Sequence, residues 1–184
     1  QAQSLFQEAL GNVSLENFYH AINHVEPSLI RVEADEATYN LHIIIRFELE
    51  QAIINGELDT DDLPEAWNEK YRRYLGIESP DVANGVLQDV HWSAGLVGYF
   101  PTYSLGNLYA SQIFDAASEQ LGDLDTMFQA GDFAPLKNWL NVEVHRHGQC
   151  LSGPQLGQRV TGKQLSHEAL MSHLEEKLIP IYGL

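Results

Sequence analysis

Residues 28–55, SLIRVEADEATYNLHIIIRFELEQAIIN, decide how this chain folds. The stretch contains no Gly or Pro and is long enough for about seven helical turns, so it predicts one long helix. On a helical wheel, apolar residues flank a polar row that occupies an arc of about 100°. A surface helix usually has one polar and one apolar face, whereas this pattern predicts a helix buried over much of its circumference. The members of the polar row are Arg31, Asp35, Thr38, Tyr39, His42 and Arg46.

The polar row has two interpretations. Burying polar and charged groups is costly unless they are paired or open onto a wet cleft, so the row can form the wall of a binding site. It can equally be a structural network, in which Arg31 and Asp35 form an intrahelical ion pair and His42 is a core histidine with satisfied hydrogen bonds. The pattern alone leaves both interpretations open.

Composition limits the classes of function. At 184 residues with 44% hydrophobic content, residues 1–184 are predicted to form a single domain or part of a larger one, and the pattern of elements along the chain predicts that this domain is helical. A formal net charge of -16 repels phosphate backbones, so we expect no nucleic-acid partner. The single cysteine, Cys150, excludes an internal disulfide and is typical of a reducing cytoplasm, where we expect the protein to be located. The apolar run Ile43–Ile45 is far too short to span a membrane, and we expect no membrane partner.

A second informative stretch, GVLQDVHWSAGLVGYFPTYSLGN, covers residues 85–107. Its four glycines and one proline lie among aromatic and polar residues, including Asp89, His91 and Tyr103. This mixture favours a loop system that lines a cleft. The alternative is a helix–helix turn with aromatic packing. We expect the next helix to begin at Ser104 or Leu105.

Together the two stretches resemble a known family. Residues 30–35, IRVEAD, match an I/V-R-x-x-A-D motif, and residues 85–92, GVLQDVHW, match G-x-x-Q-D-x-H-W. Both motifs are signatures of the carboxypeptidase Taq family of metallocarboxypeptidases. The segment GYFPTYSLGN at residues 98–107 and the ending IYGL at residues 181–184 are also similar to that family. The resemblance covers essentially the whole chain.

The resemblance implies an all-α, zincin-like zinc peptidase that removes C-terminal residues from peptides with a free C-terminus, usually as a homodimer. In such enzymes an H-E-x-x-H helix provides two zinc ligands and the general base, and a later Glu provides the third ligand. This chain contains neither of these segments, nor the H-P-F or D-x-R-x-T motifs of the family. It therefore resembles the C-terminal part of such an enzyme, roughly two fifths of it. We assign no metal ligand to this chain and predict that it is inactive alone.

Five residues are predicted to act in the complete enzyme. By resemblance, Arg31 binds the terminal carboxylate of the substrate bidentately, and Asp35 fixes a neighbouring side chain. His91 and Tyr103 donate hydrogen bonds to the carbonyl oxygen as it becomes an oxyanion. Asp89 either orients His91 or holds the loop of residues 85–107 in place.

Two other hypotheses assign the chain to a different class of protein. The chain can be a non-catalytic helical interaction module derived from the same fold. It can also be a self-contained metal enzyme that uses His20, His24 or His167, but the sequence supplies no complete ligand set for one.

Overall fold

In the computed structural model of this chain, residues 2–184 are described, with side chains from Gln3 onward. Every regular element in this range is helical, which confirms the all-α prediction. The chain divides into two compact units, one of residues up to Pro101 together with Lys177–Leu184 and the other of Thr102–Glu176. A single domain over residues 1–184 stays a prediction. Within residues 2–184, no helix combines the length and apolar content that crossing a bilayer requires.

The first unit is built around two helices that pack against each other. Ile45 and Leu49 of one helix lie in the same buried cluster as one face of the next helix, whose apolar residues recur every fourth position. That face consists of Leu63, Trp67, Tyr71 and Leu75. The helices of this unit are α1 (Ala2–Leu5), α2 (Gln7–Leu10), α3 (Leu15–Ile22), α4 (Tyr39–Ile54) and α5 (Leu63–Leu75).

The prediction of one continuous helix over residues 28–55 is wrong in its first part. Arg31–Glu33 form a short 3-10 turn, residues 34–38 are not helical, and α4 begins only at Tyr39. The cause is Asp35, whose carboxylate accepts hydrogen bonds from the backbone N–H groups of Ala37 (2.9 Å) and Thr38 (3.0 Å). Such local bonds compete with helix formation. An intrahelical ion pair between Arg31 and Asp35 is therefore excluded.

Residues 76–100 contain turns and bends but no helix, which confirms the irregular backbone predicted for residues 85–100. The predicted start of the next helix at Ser104 or Leu105 is wrong by three or four residues, because α6 (Pro101–Leu121) begins at Pro101. Proline suits the first turn of a helix, since its fixed φ is already helical and its missing N–H is not needed there. Tyr103 therefore lies on a helix and not on a loop.

The second unit has its own core. Ala116 and Ala117 of α6 cluster with Trp139 and Val160 from two later helices. Gly157 allows a close approach, because a Cβ atom at this position would lie 2.7 Å from a ring carbon of Tyr109. The remaining helices are α7 (Leu124–Gln129), α8 (Ala134–Glu143), α9 (Gly153–Thr161) and α10 (Glu168–Tyr182), the last of which ends in the first unit.

Candidate functional site

Only the second half of the predicted polar row lies on α4, because this helix contains Tyr39, His42 and Arg46, whereas Arg31, Asp35 and Thr38 precede it. His42, Arg46 and Glu50 are spaced by four residues, so they lie along one face of the helix. His42 and Arg46 are 0% exposed, and Glu50 is 6% exposed. The row is thus buried within the first unit, and each member needs a partner there.

Asp89 joins two arginines that are distant in sequence. Its Oδ1 accepts from Nη2 of Arg31 at 2.7 Å, and its Oδ2 accepts from Nε of Arg46 at 2.6 Å. Nε of Arg31 also donates to both carboxylate oxygens, at 3.1 and 3.3 Å. One edge of the Arg31 guanidinium is therefore held bidentately, which fixes its orientation.

Gln88 completes this group, which we call the arginine cluster (Arg31, Arg46, Gln88 and Asp89). Its Oε1 accepts from the backbone N–H of Arg31 at 2.9 Å and from Nη2 of Arg46 at 2.8 Å. Its Nε2 donates to the carbonyl oxygen of Leu29 at 3.0 Å. Two consecutive residues of the second motif thus fasten the 3-10 turn of the first motif onto α4.

The charges in the arginine cluster reinforce each other. Burial alone would raise the pKa of Asp89, but hydrogen bonds from Arg31 and the charge of Arg46 outweigh it, so the pKa lies below its usual value. Burial alone would lower the pKa of Arg31, but its bonds to Asp89 keep the pKa above the ordinary value. Arg46 also stacks on Trp67, with its guanidinium carbon 4.6 Å from the ring centroid.

His42 has one bonded and one unbonded ring nitrogen. Its Nδ1 lies 3.0 Å from the Tyr71 hydroxyl, which donates its only proton to the Leu29 carbonyl at 3.1 Å. The Tyr71 hydroxyl oxygen also accepts from Nη1 of Arg46 at 3.3 Å. Among the described residues, none provides a hydrogen-bond partner for Nε2 of His42, although this atom is buried. Burial and the nearby charge of Arg46 lower the pKa of His42 to about 4.

Glu50 is a functional candidate that the sequence analysis missed. Its Oε2 accepts from the indole N–H of Trp92 at 2.9 Å, and its Oε1 accepts from the backbone N–H of Gly98. Both ends of the segment from Trp92 to Gly98 are therefore attached to α4. The sequence feature that could have identified Glu50 is its position four residues after Arg46, which continues the four-residue spacing of His42 and Arg46.

The structure brings three of the five predicted site residues together. Asp89 contacts Arg31 directly, and Nδ1 of His91 lies 3.8 Å from Oδ1 of Asp89. His91 is 6% exposed, and its ring centroid lies 4.3 Å from that of Phe100.

Of the other two predicted residues, Asp35 belongs to the first unit and Tyr103 to the second. Asp35 holds the turn before α4, where it also accepts from the Thr38 hydroxyl at 2.8 Å and from the backbone N–H of Glu26 at 3.2 Å. Tyr103 is half-buried on α6 in the second unit. The predicted roles of all five residues stay predictions.

The residues that the structure describes do not form a set of ligands for a resident metal ion. Nowhere in the described part of the chain do three or more His, Cys, Asp or Glu side chains come close enough to hold one. Catalytic metal sites usually need three protein ligands. We therefore derive no step of a reaction through a metal held by this chain.

Comparisons with known proteins agree with the motifs. The model of the carboxypeptidase Taq (M32) metallopeptidase family matches residues 1–178. Thermostable carboxypeptidase 1 of Thermus thermophilus is 53% identical over 95% of this chain, and carboxypeptidase 1 of Bacillus subtilis is 46% identical over 94% of it. The M32 carboxypeptidase structure from Deinococcus radiodurans R1 superposes with a TM-score of 0.95 at 40% identity, covering 99% of this chain and 37% of that one.

The matches cover nearly all of this chain but only part of each relative. The chain spans 34% of the length of each of the two curated relatives. It therefore corresponds to about a third of such a protein, less than the two fifths estimated from the motifs.

Proposed function

Because the chain belongs to the carboxypeptidase Taq (M32) metallopeptidase family, we propose that it is one part of a zinc metallocarboxypeptidase that hydrolyses C-terminal residues from peptides. This part contributes contacts to the substrate carboxylate and to the transition state. The zinc ligands and the general base belong to the other two thirds of the enzyme, and the chain alone is inactive. We further propose a cytoplasmic, homo-oligomeric enzyme whose substrates are peptides with a free C-terminus.

The observation that carries this proposal is the fixed orientation of Arg31. Asp89 holds its Nε and Nη2 atoms, and Nη1 donates to the Tyr39 hydroxyl at 3.0 Å. A guanidinium that is already oriented loses little entropy when it binds a carboxylate, and its planar fork matches the two oxygens. Arg31 is therefore the proposed anchor for the terminal carboxylate, with Asp89 as its positioning residue.

His91 is the proposed donor to the developing oxyanion. Its ring is confined by Phe100 and Tyr99, with the Tyr99 centroid 5.7 Å away. A donor in a fixed, water-poor environment stabilises developing charge more than a mobile, hydrated one does. Tyr103, the second predicted donor, and Asp35, which fixes Thr38, keep their roles as predictions from the resemblance.

The competing function is a non-catalytic interaction module of the same fold. One observation favours it: the polar groups of α4 and the arginine cluster bind mainly each other, as a purely structural network would. The two functions differ in whether Arg31 acts on a substrate.

Substitution of Arg31 in the full-length enzyme tests the proposal. Lysine keeps the charge but loses the bidentate fork, so we expect Arg31→Lys to lower kcat/KM about 10- to 100-fold on blocked dipeptides with a free carboxylate. The loss should appear mainly in KM, and the zinc content should stay unchanged. Steady-state kinetics and metal analysis provide both measurements.

Arg46→Lys is the matched control, because Arg46 binds the same carboxylate of Asp89 but has no proposed contact with substrate. It should change KM far less than Arg31→Lys does. Equal losses of Arg31→Lys on substrates with free and with amidated C-termini would remove the anchor role and favour the interaction module.

A further inference from the structure

One side of α4, about 120° around the helix from His42, Arg46 and Glu50, is largely apolar and exposed. Ile44, Phe47 and Ile54 are 40%, 39% and 65% exposed, and Gln51 between them is also exposed. The spacings of three, four and three residues place these side chains within an arc of about 80°. We call this arc the α4 stripe (Ile44, Phe47, Gln51 and Ile54).

The α4 stripe makes the helix apolar around most of its circumference. On its other sides, Ile43, Ile45 and Leu49 are at most 2% exposed and belong to the core. A helix with apolar residues on several sides and buried polar residues on another is typical of the interior of a large protein, where it is covered on most sides. In the first unit, α4 is covered on only part of its surface.

We propose that the α4 stripe is the docking surface for the polypeptide that corresponds to the other two thirds of M32 relatives. This inference rests on the proposed function, since it assumes that this part works within a complete enzyme. The structure from Deinococcus radiodurans contains the fold of this chain, at a TM-score of 0.95, within a chain of which it forms only 37%. Such a chain contains enough further polypeptide to cover α4.

The place of α4 in the fold supports this occupant. The same helix carries the buried residues His42, Arg46 and Glu50 on another face, so α4 is a central element and not a peripheral one. Central helices of large proteins are covered by the rest of the same protein, and the relative from Deinococcus radiodurans has further polypeptide outside the 37% that matches this chain. An occupant of matching chemistry presents an apolar helix or groove to Ile44, Phe47 and Ile54.

Mixing the two parts tests the docking surface directly. The probe is the Thermus thermophilus relative without the third that matches this chain, expressed as a separate polypeptide. We expect a 1:1 complex with the 184-residue chain by native mass spectrometry and light scattering. The Phe47→Lys/Ile54→Lys double variant should weaken this complex at least 10-fold. Val142→Lys is the control, because Val142 is an exposed apolar residue on α8, 43% exposed, outside the α4 stripe.

A covalent version gives a result even if the separate probe does not fold. In a chimera, this chain replaces the matching third of the Thermus thermophilus relative. The double variant should lower Tm of the chimera by at least about 5 °C and leave Tm of the isolated chain nearly unchanged. Equal effects in both proteins would overturn the proposal, as would a loss of binding by Val142→Lys equal to that of the double variant.

Two further outcomes are decisive. If the isolated chain dimerises and the double variant makes it monomeric, the α4 stripe binds a second copy and the proposal is wrong. If the parts bind through the α4 stripe but the complete enzyme lacks carboxypeptidase activity, the docking surface stands and the proposed function falls.

Discussion

The two faces of α4 differ in how completely this chain satisfies them. On one face, His42, Arg46 and Glu50 are buried and bonded to groups from α5 and from the irregular segment before α6. On the side of the α4 stripe, Ile44 and Ile54 are exposed. The buried charged groups of the helix are thus paired locally, although Nε2 of His42 has no partner among the described residues, while part of the apolar surface of the helix is uncovered.

This difference has a physical basis. A buried charge without a partner costs several kcal/mol, so the groups that pair with it must be present whenever the helix is folded. An exposed apolar side chain costs much less, so its cover can be provided by another part of a larger protein. The contrast predicts that substitutions on the polar face affect the isolated chain, whereas those on the α4 stripe affect mainly its association.

The largest expected effect is that of Arg46→Ala. The change removes one of the two cations on Asp89 and one of the two donors to the side-chain oxygen of Gln88, and it leaves a cavity beside Trp67. We expect the free energy of unfolding of the isolated chain to fall by about 3–5 kcal/mol. Urea denaturation followed by tryptophan fluorescence measures it.

Arg72→Ala is the matched control for Arg46→Ala. Arg72 pairs with Glu78 at 2.9 Å, but both side chains are more than half exposed. Removing this pair should change the free energy of unfolding by less than about 1 kcal/mol. Similar losses for both substitutions would show that the burial of the arginine cluster does not matter for stability.

The next effect is a pH dependence caused by His42. Its pKa is lowered from 6.5 to about 4 in the folded chain, so between these pH values the unfolded state binds this proton more readily. The stability contributed by neutral His42 is complete above pH 6.5, falls as pH falls and is lost below about pH 4. The difference amounts to about 3 kcal/mol.

Denaturation curves between pH 7 and pH 4 measure this contribution. His42→Gln removes the titrating group, so the loss of stability across the window should become smaller by about 3 kcal/mol. His167→Gln is the control, because His167 is exposed. If both variants keep the full pH dependence, His42 is not the group responsible.

The sequence predicted the features that depend on local pattern. The all-α class, the apolar circumference of α4 and the irregular backbone of residues 85–100 follow from periodicity and from glycine and proline content. The alignment of His42 and Arg46 was also predicted, because residues four positions apart share a face of any helix that contains both.

The sequence did not predict two kinds of feature. One kind depends on contacts between residues that are distant in sequence, and the other on side chains that compete with the helix for backbone N–H groups. Asp89 binds arginines 58 and 43 positions away, and no periodicity encodes such a pairing. Glu50 was overlooked because its partners, Trp92 and Gly98, lie in an irregular segment. The break before Tyr39 arises because the Asp35 carboxylate competes for backbone N–H groups, which helix propensity alone does not count.

The smallest expected effect is that of a substitution at Ile54, and it is best compared with the same residue type on a buried side of α4. Ile45 is 0% exposed and Ile54 is 65% exposed. Ile45→Ala should cost the isolated chain about 2–5 kcal/mol.

Ile54→Lys, in contrast, should change the free energy of unfolding of the isolated chain by less than about 0.5 kcal/mol. Lysine is a better helix former than isoleucine, its stem can cover the apolar surface that Ile54 contacts, and its charge interacts favourably with the C-terminal end of α4. Urea denaturation at several protein concentrations measures the change. A loss above about 1.5 kcal/mol that grows with protein concentration would mean that copies of the chain already bury Ile54 against each other, because only association makes stability depend on concentration. In that case the α4 stripe would be covered by a second copy of the chain and would not be exposed in solution.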